Sequence, residues 1–289
     1  TLLTVGVTNL SVIFKPDAGS LYKPLVKNVA IATNPATLRV IAHDKTRTYG
    51  DSNPTLTFDI MDFVNGEDAA VLTTSPIIET TGTTFSDAGI YPITPSGGGA
   101  VNYLFNHIPA LLTVQQRGLN IGVEPASREY GRANPAFIPT YAGFIGGELP
   151  ADLDVSPTFT TAADEFSPVD DYVISVAGAS DVNYAITHAN GVMTIQQAPL
   201  IITAENKGKA FGDANPTLTA TYFGFLNGEN SGVLDSPVSL STTATQGSPA
   251  GSYPVTAVGA MDNNYSITHI NGSLTIGTSI LTITANPAT

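Results

Sequence analysis

The chain contains no cysteine and no tryptophan. Without cysteine, disulfide frameworks, thiolate metal sites and cysteine nucleophiles are excluded together. Without tryptophan, a sugar-stacking role for the aromatic residues loses its strongest ring. Basic residues are also scarce: Lys+Arg is 11 against Asp+Glu 24, a formal charge of −13. A chain this acidic is a poor ligand for nucleic acid, whose phosphates are bound by Lys and Arg releasing counterions. No run of 18 apolar residues exists, so no helical membrane span is expected. No basic stretch followed by an apolar one opens the chain, which does not start with Met. It begins and ends inside patterned sequence, so the expectation is an excerpt of something longer, with any signal peptide or anchor outside it. What is abundant is Gly (27), Pro (20), Ser and Thr, the composition of turns and short strands in an all-β chain.

The dominant feature is a repeat. A Leu-x-(Val/Ile) pattern opens at Leu38, Leu119, Leu200 and Leu281, and each step is 81 residues (119−38, 200−119, 281−200). The same step connects Tyr49, Tyr130 and Phe211, each followed by Gly, and then Asn53-Pro54, Asn134-Pro135 and Asn215-Pro216. It also connects Phe63, Phe144 and Phe225, then Glu67, Glu148 and Glu229, then Tyr91, Tyr172 and Tyr253, then Tyr103, Tyr184 and Tyr265. Three modules follow, at 36–116, 117–197 and 198–278, and a fourth opens within 279–289. Residues 1–35 do not fit the template; their alternation (Leu10, Val12, Phe14; Val26, Val29, Ile31) reads as the last two strands of a preceding, different β module. No Gly/Ser linker separates the copies, so short, comparatively stiff joints are expected.

Within a module, period-two alternation such as Leu200, Ile202 and Ala204 marks a half-buried strand. The Tyr-Gly-(Asp/Arg)-x-Asn-Pro segment reads as a shaped turn, because Gly permits positive φ and the residue before Pro is pushed to extended backbone. The stretch from Gly66-Glu67 to Leu72 can form one helical turn before Pro76. Asn190-Gly191 and Asn271-Gly272 carry the signature of two-residue type I′ hairpins; such a turn would pair His269 with Leu274 and Ile267 with Ile276. Six or seven short strands in about 80 residues predict tandem small β-sandwich (Ig-like) modules in an elongated array. β-grasp-like modules, each with one short helix, are the alternative.

The ordered strings YGDSNPTLT at 49–57, AFGDANPTLTATYFGFLNGE at 210–229, Gly-x-Tyr-Pro, and NYSITHINGSLTI at 264–276 resemble the MBG-type (YGX) repeats of bacterial surface proteins and adhesins. The resemblance covers 36–278 and continues at 281–289. The second copy departs from it with Arg132 for Asp and Gly146 for Asn. Residues 1–35 are similar to the end of another bacterial Ig-like repeat. The resemblance implies a spacer or adhesive stalk on the bacterial cell surface or outside the cell, with no catalytic residues to carry over.

The residues themselves agree with that absence of chemistry. His107, His188 and His269 are 81 apart, one per module, and read as histidines at the rim of a core; His43 is alone. No His/Asp/Glu cluster supplies a transition-metal site. Glu67, Glu148 and Glu229 are the acidic position kept in every copy, and are expected to cap the short helical turn or, as calcium candidates, to give one carboxylate ligand per module. No Gly-x-Ser-x-Gly elbow or P-loop is present, and the Gly97–Gly99 cluster reads as a loop of the first copy only. A Lys–Asn isopeptide bond shared by the modules is excluded, because residues 117–197 contain no lysine. The expected function is therefore a non-enzymatic spacer whose partners are the neighbouring repeats. The alternative is a binding module that contacts glycan or a host or neighbouring-cell protein through the loops 79–88, 160–170 and 241–250.

Overall fold

The computed structural model describes residues 5–279; the start of a fourth copy at 281–289 lies outside them. The described residues are all-β apart from three single 3₁₀ turns. They form two compact units. One takes the chain through residue 119 with 143–156 and 179–187; the other takes 120–142, 157–178 and the chain from 188 onward. Each unit holds one whole copy, and the division runs through the second.

In the first unit, β1 (Gly6–Phe14) and β2 (Leu25–Thr33) form an antiparallel pair whose large apolar side chains are exposed, Val12 and Phe14 among them. The first copy follows with β3 (Ala36–Ala42), β4 (Lys45–Thr48), β5 (Phe58–Met61), β6 (Leu72–Thr80), β7 (Gly89–Ala100), β8 (Tyr103–Ile108) and β9 (Ala110–Gln115). They build two sheets, in the orders β5-β3-β8 and β4-β9-β7-β6. The alternation is the cause: Leu38, Val40 and Ala42 of β3 point inward and are buried, while Arg39 between them is exposed.

The second copy repeats the scheme with β10 (Arg117–Val123), β11 (Ala126–Glu129), β12 (Pro139–Ala142), β13 (Thr158–Thr161), β14 (Asp171–Ala177), β15 (Tyr184–His188) and β16 (Gly191–Gln196). Its sheet orders are β12-β10-β15 and β11-β16-β14-β13. The third copy, in the second unit, has β17 (Ala198–Ala204), β18 (Lys207–Ala210), β19 (Ala220–Phe223), β20 (Ser239–Thr242), β21 (Gly251–Val258), β22 (Tyr265–Ile270) and β23 (Gly272–Gly277), ordered β19-β17-β22 and β18-β23-β21-β20. β17 packs on β21 and β23 of the facing sheet. The core between them gathers Ala204, Val255, Ala257, Leu274 and Ile276. Burying one such Leu or Ile contributes about 1.5–3 kcal/mol.

Two facing sheets and no α-helix among the described residues answer to the sandwich expectation rather than to the β-grasp one. The sheets are mixed. β3 and β8 run parallel, as do β4 and β9, and the same holds for β17 with β22 and β18 with β23.

These parallel pairs overturn the predicted hairpins. β22 and β23 belong to different sheets, so Asn271-Gly272 is a crossing between layers. His269 lies opposite Ile202, and Leu274 lies opposite Tyr253. A type I′ turn needs positive φ at both central residues, yet neither Asn190-Gly191 nor Asn271-Gly272 is among the described residues that have it. The residue types serve another purpose. Asn190 Oδ1 accepts from the Val176 amide and Asn271 Oδ1 from the Ala257 amide, each at 3.1 Å. Glycine is required because a Cβ at Gly191 would come within 2.6 Å of Val123 Cγ1, and one at Gly272 would strike the Ala204 carbonyl. Gly97–Gly99 is likewise no loop: it lies in β7, where Gly97 pairs with Pro76 and Gly99 with Thr74.

Candidate functional site

The repeated residues converge where one copy meets the next. Glu148 follows a tight turn closed by its own amide donating to the Ile145 carbonyl. Its Oε1 accepts from the Tyr49 hydroxyl of the preceding copy at 2.6 Å, and its Oε2 accepts from Tyr184 of its own copy. The Tyr184 hydroxyl in turn accepts from the Ile145 amide at 3.2 Å. The two rings meet edge to face, centroids 5.8 Å apart, with Phe144 against Tyr184 at 5.5 Å. All of this lies in the first unit.

The second unit holds the same arrangement 81 residues on. Tyr130 donates to Glu229 Oε1 at 2.7 Å, and Tyr265 donates to Glu229 Oε2 while accepting from the Leu226 amide at 2.9 Å. The Tyr130 and Tyr265 centroids are 5.6 Å apart, and Phe225 packs on Tyr265. The tyrosines are buried, and hydrogen bonds to an ionised acceptor are about twice as strong as neutral ones. Burial and the Glu148 hydrogen bond push the Tyr184 hydroxyl up to about 12. The Glu148 hydrogen bond, then burial, raises Tyr49 further. Burial, then the Glu229 hydrogen bond, raises Tyr130 and Tyr265.

Around each Tyr–Glu–Tyr centre lies a ring of backbone contacts. Asn183 Oδ1 accepts from the Ala88 amide at 2.8 Å and Asn264 Oδ1 from the Val169 amide at 3.0 Å; ahead of the first copy, where Glu67 has one tyrosine, Asn102 Oδ1 likewise accepts from the Val5 amide at 3.1 Å. Gln116 and Gln197 donate to the Val182 and Asn263 carbonyls. The glycine after each tyrosine makes room: Gly131, at φ +71°, would carry a Cβ 2.7 Å from Leu226 Cβ. Two of the loops expected to contact ligands contribute here, because Ala88 and Val169 belong to or adjoin 79–88 and 160–170.

Glu67, Glu148 and Glu229 are thus carboxylates bonded by tyrosines. Glu67 accepts from Tyr103 of its own copy. In the first and third copies the capping expected of them falls to the next residue: Asp68 Oδ1 accepts from the Ala70 amide, and Asn230 Oδ1 from the Gly232 amide; in the second, where Leu149 follows Glu148, Asp152 Oδ2 accepts from the Leu149 amide at 2.7 Å. Among the described residues, no three His, Asp or Glu gather as a metal site. His107 bonds the Gly97 carbonyl and His43 bonds Thr57 and Asp59; the structure does not bring the histidines together.

One set of structural residues escaped the sequence reading. Arg47, Arg128 and Lys209 also stand 81 apart (128−47, 209−128). Arg47 and Arg128 are buried. Arg47 donates to Asn53 Oδ1 at 2.8 Å and to the Thr84 carbonyl, and Arg128 donates to Asn134 Oδ1 at 2.7 Å. Lys209 reaches the Asp213 and Thr245 carbonyls. The asparagine of each Asn-Pro donates onward to a carbonyl of the facing turn, Gly82, Ala163 or Ala244.

Seven-stranded two-sheet modules in series, joined by a recurring Tyr–Glu–Tyr contact, define a class of tandem β-repeat protein. The model of the MBG domain (YGX type) matches residues 38–113, 119–194 and 200–275, and the chain belongs to that family. No curated protein matches it. Solved structures similar to it include Drosophila N-cadherin EC1-4, at 10% identity over 96% of this chain and 85% of that one, TM-score 0.24. Others are surface layer protein SbsC domains 4–9, at 11% over 88% and 52%, TM-score 0.20, and Bacteroides ovatus SGBP-B in complex with a mixed-linkage heptasaccharide, at 12% over 96% and 72%, TM-score 0.16. Scores this low carry no argument about role. Among the described residues no helix is long and apolar enough to cross a membrane.

Proposed function

We propose that the chain is a non-enzymatic tandem-repeat spacer of a bacterial cell-surface or secreted, adhesin-like protein. One observation supports this above the rest: the residues that define the family repeat, Tyr-Gly, Gly-Glu and Asn-Tyr, are spent on holding one copy to the next. A spacer needs a fixed step between modules, and a carboxylate shared by two tyrosines from adjacent copies supplies one. The loop-contact reading is weakened by the engagement of Ala88 and Val169 in the joints.

Solution scattering tests the proposal. A spacer of this kind gives a distance distribution that lengthens by a constant increment for each added repeat. A distribution that stays compact as repeats are added contradicts it.

A further inference from the structure

The third copy carries an aromatic cleft edged by residues that its sister copies do not have. Ile201 and Phe223 face each other across β17 and β19, where the first copy has Arg39 and Met61 and the second has Asn120 and Ala142. In the first copy Arg39 is paired with Asp62 at 2.5 Å. In the third, Ile201, Tyr222, Phe223 and Phe225 line a cleft of about 630 Å³ with Arg132 and Glu229, all within the second unit. Tyr222 and Phe225 pack tilted, centroids 5.7 Å apart, and Phe223 is 78% exposed. Tyr222 and Phe225 have counterparts in the second copy, Tyr141 and Phe144, whereas Ile201 and Phe223 are particular to the third, and the other two copies close their sandwiches without them.

We infer that this cleft binds a neutral hexose unit of a glycan. A hexose has a flat C–H face and a rim of hydroxyls that both donate and accept. The rings offer the apolar platform, with Tyr and Phe in the place of the missing tryptophan. Arg132 offers donors only, and Glu229, with lone pairs left beyond its two tyrosine bonds, offers acceptors only. One guanidinium and one carboxylate leave the wall formally neutral, which favours an uncharged ligand over an anionic or cationic one. The volume is that of a small-ligand site, a mostly apolar cleft with few polar groups. Arg132 is particular to this joint, because the other copies have Asp51 and Asp213 at its position.

The site goes beyond the spacer reading and is tested separately from it. The intact chain is run in native affinity gels cast with hydroxyethyl cellulose, galactomannan or glycogen, beside Phe223→Ala and Arg132→Asp. Both variants change exposed residues, and Arg132→Asp installs what two sister copies carry, so circular dichroism should match the parent. Retardation of the parent by at least one polysaccharide is expected, with apparent affinity about tenfold weaker in each variant. Three results overturn the inference: no retardation by any of the three polymers, retardation unchanged in both variants, or binding of a phenylalanine-rich peptide in the cleft with none of the polymers.

Discussion

At the first joint Arg117 opens the second copy and reaches back, donating to the Tyr49 carbonyl at 2.8 Å and pairing with Asp51. At the second joint the counterpart of Arg117 is Ala198 (117+81) and that of Asp51 is Arg132 (51+81). The cross-joint ion pair is gone, and Arg132 stands 3.9 Å from Glu129 of its own strand end. The Tyr–Glu–Tyr centre survives both changes with nearly the same geometry. The comparison separates the constant part of a joint from its variable surround: the shared carboxylate is common, whereas the surrounding charges are exchanged, in one case for a fastening and in the other for an open cleft.

The largest expected effect strikes both joints at once. The hydroxyls of Tyr49, Tyr103, Tyr130, Tyr184 and Tyr265 are all raised above the ordinary value of 10. A raised folded-state value means that their stabilisation is fully present below about pH 10 and is lost as pH climbs, through about 12 for Tyr184. Thermal midpoints should therefore be flat up to pH 10 and fall steeply above it; a flat profile to pH 12 would refute the tyrosine–glutamate centre.

Next in size is Glu229→Ala, which leaves two buried hydroxyls without acceptors and should cost about 3 kcal/mol in urea unfolding. Glu148→Ala should cost about 1 kcal/mol less, because Arg117 still holds the first joint. Equal losses would show that Arg117 adds nothing.

Glycine substitutions sharpen the contrast further. Gly131→Ala meets Leu226 at its Cβ, whereas Gly50→Ala meets the far end of Ile145, and Gly212→Ala meets nothing within 4 Å. All three have positive φ, so each pays about 1 kcal/mol of backbone strain, and the expected order of destabilisation is Gly131, Gly50, Gly212. The smallest effect is that of Arg117→Ala, about 1 kcal/mol or less, since Asp51 is 53% exposed and its pairing is screened.

Much of this was legible in the chain. The 81-residue step located the tyrosines and the glutamate at the centre of each joint, and alternation located Leu38, Leu200 and Ile202 in the core. The pairing of distant segments was not legible. Tyr49 and Glu148 are 99 residues apart, and Tyr184 and Glu148 are 36 apart; nothing local announces that three repeated residues meet. The Asn-Gly pairs misled for a related reason. Local turn chemistry favours a hairpin, but parallel pairing of β17 with β22 and of β18 with β23 draws the two flanking strands into different sheets. The buried Arg47 and Arg128 were not legible because a basic residue flanked by Thr46 and Thr48, or by Ser127 and Glu129, reads as solvent-facing.

The most direct test of the shared carboxylate is a double-mutant cycle on the intact chain with Tyr130→Phe, Glu229→Ala and the pair, read from urea unfolding. The account predicts a coupling energy of about 1–2 kcal/mol between the two side chains, which belong to different copies. Additive losses, with coupling near zero, would contradict it.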